Sequence, residues 1–196
     1  MIWATSETIH FDRVVSAWLI LRFVDEDAEF VFLKAGEEPG EGVNAFGLRG
    51  VKLAAHDEGG TTVSRILENY GLRSDPALEL MGRIVQEGVD HVLGTTRQSG
   101  SMSRHPAVLG TLWITEGAML MARTDAECLE RSIPLYDQLY ARLSCQQLVD
   151  DRAPSPPATV LQQTLLMSAA QAKMRGEGTP WSVAAFSTAL AATRLD

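Results

Sequence analysis

The sequence predicts an α+β protein: a small N-terminal β-sheet packed against one buried helix and several further helices, with a mostly helical C-terminal half. Three observations carry this. Residues 14–24, VVSAWLILRFV, are apolar almost all the way round, so a helix formed by them belongs inside the protein rather than on its surface. Short segments of aromatic and β-branched composition are confined to the first 55 residues. Beyond residue 60, apolar residues recur at helical spacing between recognisable cap residues.

Composition bounds the function. A chain of 196 residues suits one domain, or one domain with an appendage. With 45% hydrophobic and 21% charged residues it can bury a substantial core. The net charge of −8 and the absence of a Lys/Arg run argue against a nucleic-acid partner. No membrane span is expected. The apolar run 107–122 contains Glu116, and 153–172 is broken by prolines and glutamines. Glu7, Asp12 and Arg13 precede any apolar run, which is not the pattern of a secretory signal. Cys128 and Cys145 form neither a disulfide framework nor a metal-type pair, and the expectation is a reducing cytoplasm.

The elements follow in order. Residues 2–5 read as a strand, then a polar turn leads into the buried helix at 13–24, which Asp25-Glu26-Asp27 breaks. Residues 29–33, EFVFL, have strand composition and place Glu29, Val31 and Leu33 on one face. A Gly- and Glu-rich loop over 34–50 holds a short strand near 44–46, and 51–55 reads as another strand ending at His56. Thr61 or Thr62 caps a helix through Tyr70, stopped by Gly71. Asp75-Pro76 starts the next, with a striped face at Leu78, Met81, Ile84 and Val85. Residues 95–104 read as a mobile loop, 106–123 as an apolar helix, and Thr124-Asp125-Ala126-Glu127 opens a helix that Pro134 should kink or interrupt. After a Pro-rich linker at 153–157 two helices are expected, 158–175 and 181–193, the first with its apolar side at Leu161, Leu165, Leu166, Met167 and Ala169. This tail is too small to fold alone and must pack on the body or on a neighbouring subunit.

Phe11-Asp12-Arg13-Val14, Trp18-Leu19-Ile20, Phe23-Val24-Asp25 and Ala28-Glu29-Phe30 together resemble the opening of the ChrB-type chromate resistance domain family. Tyr70-Gly71-Leu72, Asp75-Pro76-Ala77-Leu78, Ile84-Val85, Asp90 and residues 134–140, PLYDQLY, extend the likeness in the same order. The resemblance covers about residues 1–143 and leaves 144–196 as a helical C-terminal extension. The family commonly has Cys-Pro where this chain has Ser16-Ala17, so a role resting on that thiol is absent. Full-length regulators of the family carry an extra N-terminal part that binds DNA, whereas this chain begins at the domain. A transcription regulator is therefore not the expectation. What the resemblance implies is a metal-associated domain, and it places a histidine at the position of His56.

The candidate site is built from polar residues at the edge of the buried helix. His56 precedes a Gly-Gly turn, Glu29 lies on a strand, and Asp90 falls late in a helix beside His91 and at helical spacing from Glu87. Each has a plain alternative: a structural histidine, an ion pair of Glu29 with Arg13, and a turn residue if Gly88 ends the helix. Asp12 has the composition of an N-cap for the buried helix, and His105 that of a residue at a helix start. The first expectation is a metal-dependent hydrolase acting on a small-molecule substrate, aromatic or anionic. Glu29, His56 and Asp90, or two of these with His10, would hold one divalent ion, zinc before manganese or iron. His10 or Asp12 would take the proton of a metal-bound water, and Arg13 would stabilise negative charge. The second is a non-catalytic protein binding a chromate-type oxyanion through Arg13, His10 and helix N-termini. The third is a structural subunit, and all three allow a homo- or hetero-oligomer with a related subunit.

Overall fold

The structure, a computed structural model, describes residues 1–95, 105–152 and 159–193. All but the first residue of the loop expected over 95–104, and the linker expected at 153–157, lie outside the described residues. The chain divides into two compact units, Met1–Tyr136 and Asp137–Asp196.

The first unit is built on four strands: β1 (Ile2–Ser6), β2 (Glu29–Leu33), β3 (Asn44–Leu48) and the two-residue β4 (Leu53–Ala54). They form a parallel sheet in the order β2-β1-β3-β4. The register pairs Ile2 with Glu29 and Ser6 with Leu33, so all strands begin at one end of the sheet and finish at the other. The expected strand at 51–55 shrinks to two residues, paired to β3 across an irregularity between Phe46 and Leu48. Trp3, Phe30 and Phe46 pack edge to face, with ring centroids 6.5 Å apart for Trp3–Phe46 and 6.0 Å for Phe30–Phe46.

Between β1 and β2 runs the buried helix α1 (Phe11–Leu19), extended by a π-helical turn over Ile20–Val24. Val14, Val15, Ala17, Trp18, Leu19 and Ile20 are all buried, as a run interrupted by Ser16 alone requires. The π-turn closes with the Asp25 N–H on the Ile20 carbonyl at 2.8 Å. It delivers the Asp25 carboxylate to the indole N–H of Trp3 at 2.8 Å and the N-terminal ammonium at 2.9 Å.

Three helices surround α1: α2 (Thr62–Asn69), α3 (Pro76–Leu93) and α4 (Ala107–Met121). The expected caps form. The Thr61 hydroxyl accepts from Ser64 N at 3.1 Å, and the Asp75 carboxylate accepts from Ala77 N at 2.8 Å and Leu78 N at 3.2 Å. Gly88 does not end α3. It sits where the Phe11 ring of α1 crosses, leaving no room for a Cβ, so this glycine serves close helix packing. The next helix, α5 (Asp125–Arg152), runs through Pro134 without the interruption the sequence suggested. Both Pro134 and Glu130, whose carbonyl loses its helical partner, are exposed, so water can satisfy that group.

The second unit comprises the last turns of α5 from Asp137, α6 (Val160–Gly176) and α7 (Val183–Ala191). Its core is Cys145 and Val149 of α5, Ala170 and Met174 of α6, and Phe186, Ala189 and Leu190 of α7. Thr159 and Gln162 form a capping box on α6, and the Ser182 hydroxyl caps α7. The packed side of α6 is rotated from the one expected. Leu166, Met167, Ala170 and Met174 face the core, while Leu161, Leu165 and Ala169 are exposed.

Candidate functional site

In a parallel sheet whose chain order reverses beside its first strand, the carboxyl ends of the strands flank a crevice where ligands bind. Here the reversal lies between β1 and β3, and a cavity of about 240 Å³ opens there. His10 reaches it from the N-cap of α1, Arg13 from the first turn of that helix, Gly47 from β3, His56 from the segment after β4, and Val89, Val92 and Leu93 from the end of α3.

The turn over Ser6–Ile9 forms one wall and is held from two sides. The Arg13 guanidinium donates to the carbonyls of Ser6 at 2.6 Å, Glu7 at 3.4 Å and Thr8 at 2.8 Å, and to the Ser6 hydroxyl. The Asp125 carboxylate at the start of α5 accepts from Thr8 N at 3.0 Å and Ile9 N at 2.7 Å. Thr8 needs this hold because it sits at φ 60°, in the left-handed region that costs a branched residue roughly 1–2 kcal/mol. Gly47, at φ 63°, makes room for the arginine. A Cβ there would lie 2.7 Å from Arg13 Cγ and 2.8 Å from Cδ. Burial, and then the neighbouring Arg13 charge, hold the His10 imidazole below its usual pKa.

Asp12 stands in the first turn of α1 but caps a different helix. Its carboxylate accepts from Thr62 N at 3.0 Å and Val63 N at 3.1 Å, the free amides at the N-terminus of α2. Burial pushes this carboxyl above its usual pKa, against the opposing pull of those two amides and of His56 nearby. The N-cap position of α1 belongs instead to His10, whose side chain makes no cap bond. Ser16, at the position of the family's thiol, is buried and donates to the Asp12 carbonyl at 2.7 Å.

His56 occupies a stapled loop. Arg65 donates to the Gly60 carbonyl at 2.6 Å and the Ala55 carbonyl at 3.3 Å and pairs with the Asp57 carboxylate. The Asp57 carboxyl is held low, first by the Gly59 amide and then by Arg65. His56 lines the cleft, and its Nδ1 is buried with no hydrogen-bond partner among the described residues. A buried, unsatisfied ring nitrogen costs about 1–3 kcal/mol unless something supplies its partner.

The structure thus brings His10, Asp12, Arg13 and His56 to one cleft and leaves Glu29 and Asp90 out of it. Glu29 is the first residue of β2, opposite Ile2, so it lies at the far end of the sheet, about 13 Å along β1 from Ser6. It is exposed and cannot pair with Arg13. Asp90 lies on α3 between Val89 and the Val92–Leu93 pair that face the cleft, and its carboxylate accepts from the Gln86 amide at 3.0 Å. His91 is exposed, and the Glu87 carboxylate accepts from His105 N at 3.2 Å. His105 lies just before α4, its Nδ1 accepting from Ala107 N at 3.2 Å. No three His, Cys, Asp or Glu side chains among the described residues stand close enough to hold a metal ion. The expected zinc set of Glu29, His56 and Asp90 does not assemble, and adding His10 to two of them does not rescue it, because any two include Glu29 or Asp90 and neither lines the cleft. Sequence reasoning missed Gly47, Arg65, Asp125 and the apolar wall from α3. The Asp57–Gly60 turn hinted at Arg65, but nothing local signalled the rest.

Among the described residues no helix is long and apolar enough to cross a membrane. The family model described as ChrB, C-terminal domain, matches residues 3–143. The chain is similar to Protein ChrB of Cupriavidus metallidurans, 30% identical over 83 residues, which is 42% of this chain and 25% of that protein. The match therefore spans about a quarter of the length of that curated relative. No solved structure matches. These likenesses are to a ChrB domain and not to a hydrolase, and they correct the expectation of a metal-dependent hydrolase. With its strands, its buried helix and its cleft all inside the matched region, the chain belongs to the ChrB C-terminal domain family.

Proposed function

We propose that this chain is a non-catalytic chromate-resistance protein whose cleft binds a chromate-type oxyanion. The observation that carries the reading is the convergence of His10, Arg13 and His56 at the carboxyl edge of the sheet, with His56 Nδ1 buried and without a partner among the described residues. Arg13 supplies positive charge while its donors brace the turn, and the two imidazoles supply N–H groups to oxyanion oxygens. Asp12 offers little repulsion because its oxygens are directed to the α2 amides. Binding of an anion favours protonated His10, so affinity should rise as pH falls through the lowered pKa of that group.

The test is calorimetric titration with chromate, with sulfate as the unreactive analogue. Stoichiometric binding with chromate recovered unchanged, weakened about ten-fold in His56→Ala, is the expected result. Turnover of chromate, or binding indifferent to His56 and His10, would overturn it. A second reading, a subunit of a larger assembly, is favoured by the exposed apolar side of α4, where Trp113 is 64% and Leu120 80% accessible. Sizing of the purified chain tests it: a monodisperse monomer at micromolar concentration would remove it.

A further inference from the structure

We infer that the helical unit Asp137–Asp196 carries its own ligand site, independent of the cleft in the first unit, for a small organic anion with a flat apolar body. A cavity of about 510 Å³ lies among α5, α6 and α7, within the range of small-molecule sites. Its two charged lining groups have the same sign. Arg142 of α5 and Arg175 of α6 are both exposed, and among the described residues neither is in an ion pair. The nearby Lys173 is different, since Glu177 neutralises it at 2.9 Å.

The background charge permits an anion here. From Asp137 onward the chain has five acidic and five basic residues, so the whole net charge of −8 resides in the first unit. Two unneutralised guanidinium groups on a neutral unit attract a carboxylate or sulfonate and can hold it bidentately.

The rest of the lining sets Gln138, Ser168, Gln171 and Thr179 beside a larger apolar surface. Phe186 and Met174 are buried in the floor, Met167 lies at the side, and the Trp181 ring is 47% exposed. Trp181 stands edge-on to Tyr140, 6.5 Å between centroids at 83°, which fixes its orientation and leaves a face for stacking. A bare inorganic anion would leave these surfaces wet, and a neutral hydrocarbon would leave the arginines without a counter-charge. An aromatic carboxylate satisfies both.

The experiment is calorimetric titration of the full chain with 2-naphthoate, with neutral 2-naphthol and with sulfate. One-site binding of 2-naphthoate is expected. The Arg142→Ala/Arg175→Ala double variant should weaken it about ten-fold or more, Trp181→Ala should weaken it as well, and 2-naphthol should bind poorly and ignore the arginines. The substituted groups are exposed, so the fold should survive. His56→Ala should leave naphthoate affinity unchanged. Absence of saturable binding at millimolar naphthoate, unchanged affinity in the double arginine variant, or loss of binding in His56→Ala would each overturn the assignment.

Discussion

Replacing Gly47 by alanine should unsettle the cleft through one side chain, Arg13. The backbone at Gly47 has φ 63°, where a Cβ costs about 1–2 kcal/mol in any context. The new methyl would lie 2.7 Å from Arg13 Cγ and 2.8 Å from Cδ, far inside van der Waals contact. Arg13 cannot retreat freely, because its guanidinium is fixed on the carbonyls of Ser6 and Thr8. That overpacking adds about 1–3 kcal/mol, so Gly47→Ala should lose about 2–5 kcal/mol in all. The assay is urea unfolding of Gly47→Ala, Arg13→Ala and the double variant, read as a double-mutant cycle. In the Arg13→Ala background the stem is gone, and Gly47→Ala should cost only the backbone strain of about 1–2 kcal/mol. A coupling of about 1–3 kcal/mol is therefore expected. Equal losses in both backgrounds would show that the arginine stem does not dictate glycine at this position.

Gly88→Ala should lower the melting temperature, because its Cβ would meet the Phe11 ring and cost about 1–3 kcal/mol against a helix-propensity gain of roughly 1. Gly110→Ala on α4, with nothing within 4 Å of its Cβ, should raise the melting temperature instead, and equal effects at the two sites would refute the packing argument. Asp12→Ala should cost about 1–3 kcal/mol in urea unfolding by stranding the Thr62 and Val63 amides, with Asp12→Asn recovering part of it. Since burial raises the Asp12 pKa in the folded state, the native protein holds that proton more tightly than the unfolded chain. Stability from this group is full below the unfolded pKa and falls as pH rises through the folded one, so wild type should gain on Asp12→Asn as pH drops through that window. Glu127 has the opposite sign: the Arg123 amide, then Arg131 and the Arg123 side chain, hold it at about 2. Its contribution is present at neutral pH and is lost as pH falls below the usual glutamate value toward about 2, and a Glu127→Gln variant whose acid unfolding matched wild type would contradict this.

Local chemistry made most elements legible in the sequence. Asp75-Pro76 had to start a helix because an acceptor side chain precedes a residue with no N–H to satisfy, and Thr61 capped α2 for a related reason. The apolar run over 14–20 had to be buried because it has no polar face to turn to water. The same reading gathered His10, Asp12 and Arg13 with Glu29, His56 and Asp90, of which the structure brings His10, Asp12, Arg13 and His56 to one cleft. Strand direction is what it could not supply. A strand of given composition pairs either way, and only the parallel arrangement sends the start of β2, with Glu29, to the end of the sheet opposite the turn after β1. An antiparallel pairing would have brought Glu29 beside that turn. The same holds for Asp12, a cap residue by type whose helix, α2, lies fifty residues away in the chain. It holds for Asp90 too: α3 continues past Gly88 and places Val89, Val92 and Leu93, not Asp90, along the cleft. Residue type fixes what a group can do within a turn or two of itself; which distant partner it meets depends on strand direction and on the close approach of helices, and those are properties of the whole packed chain.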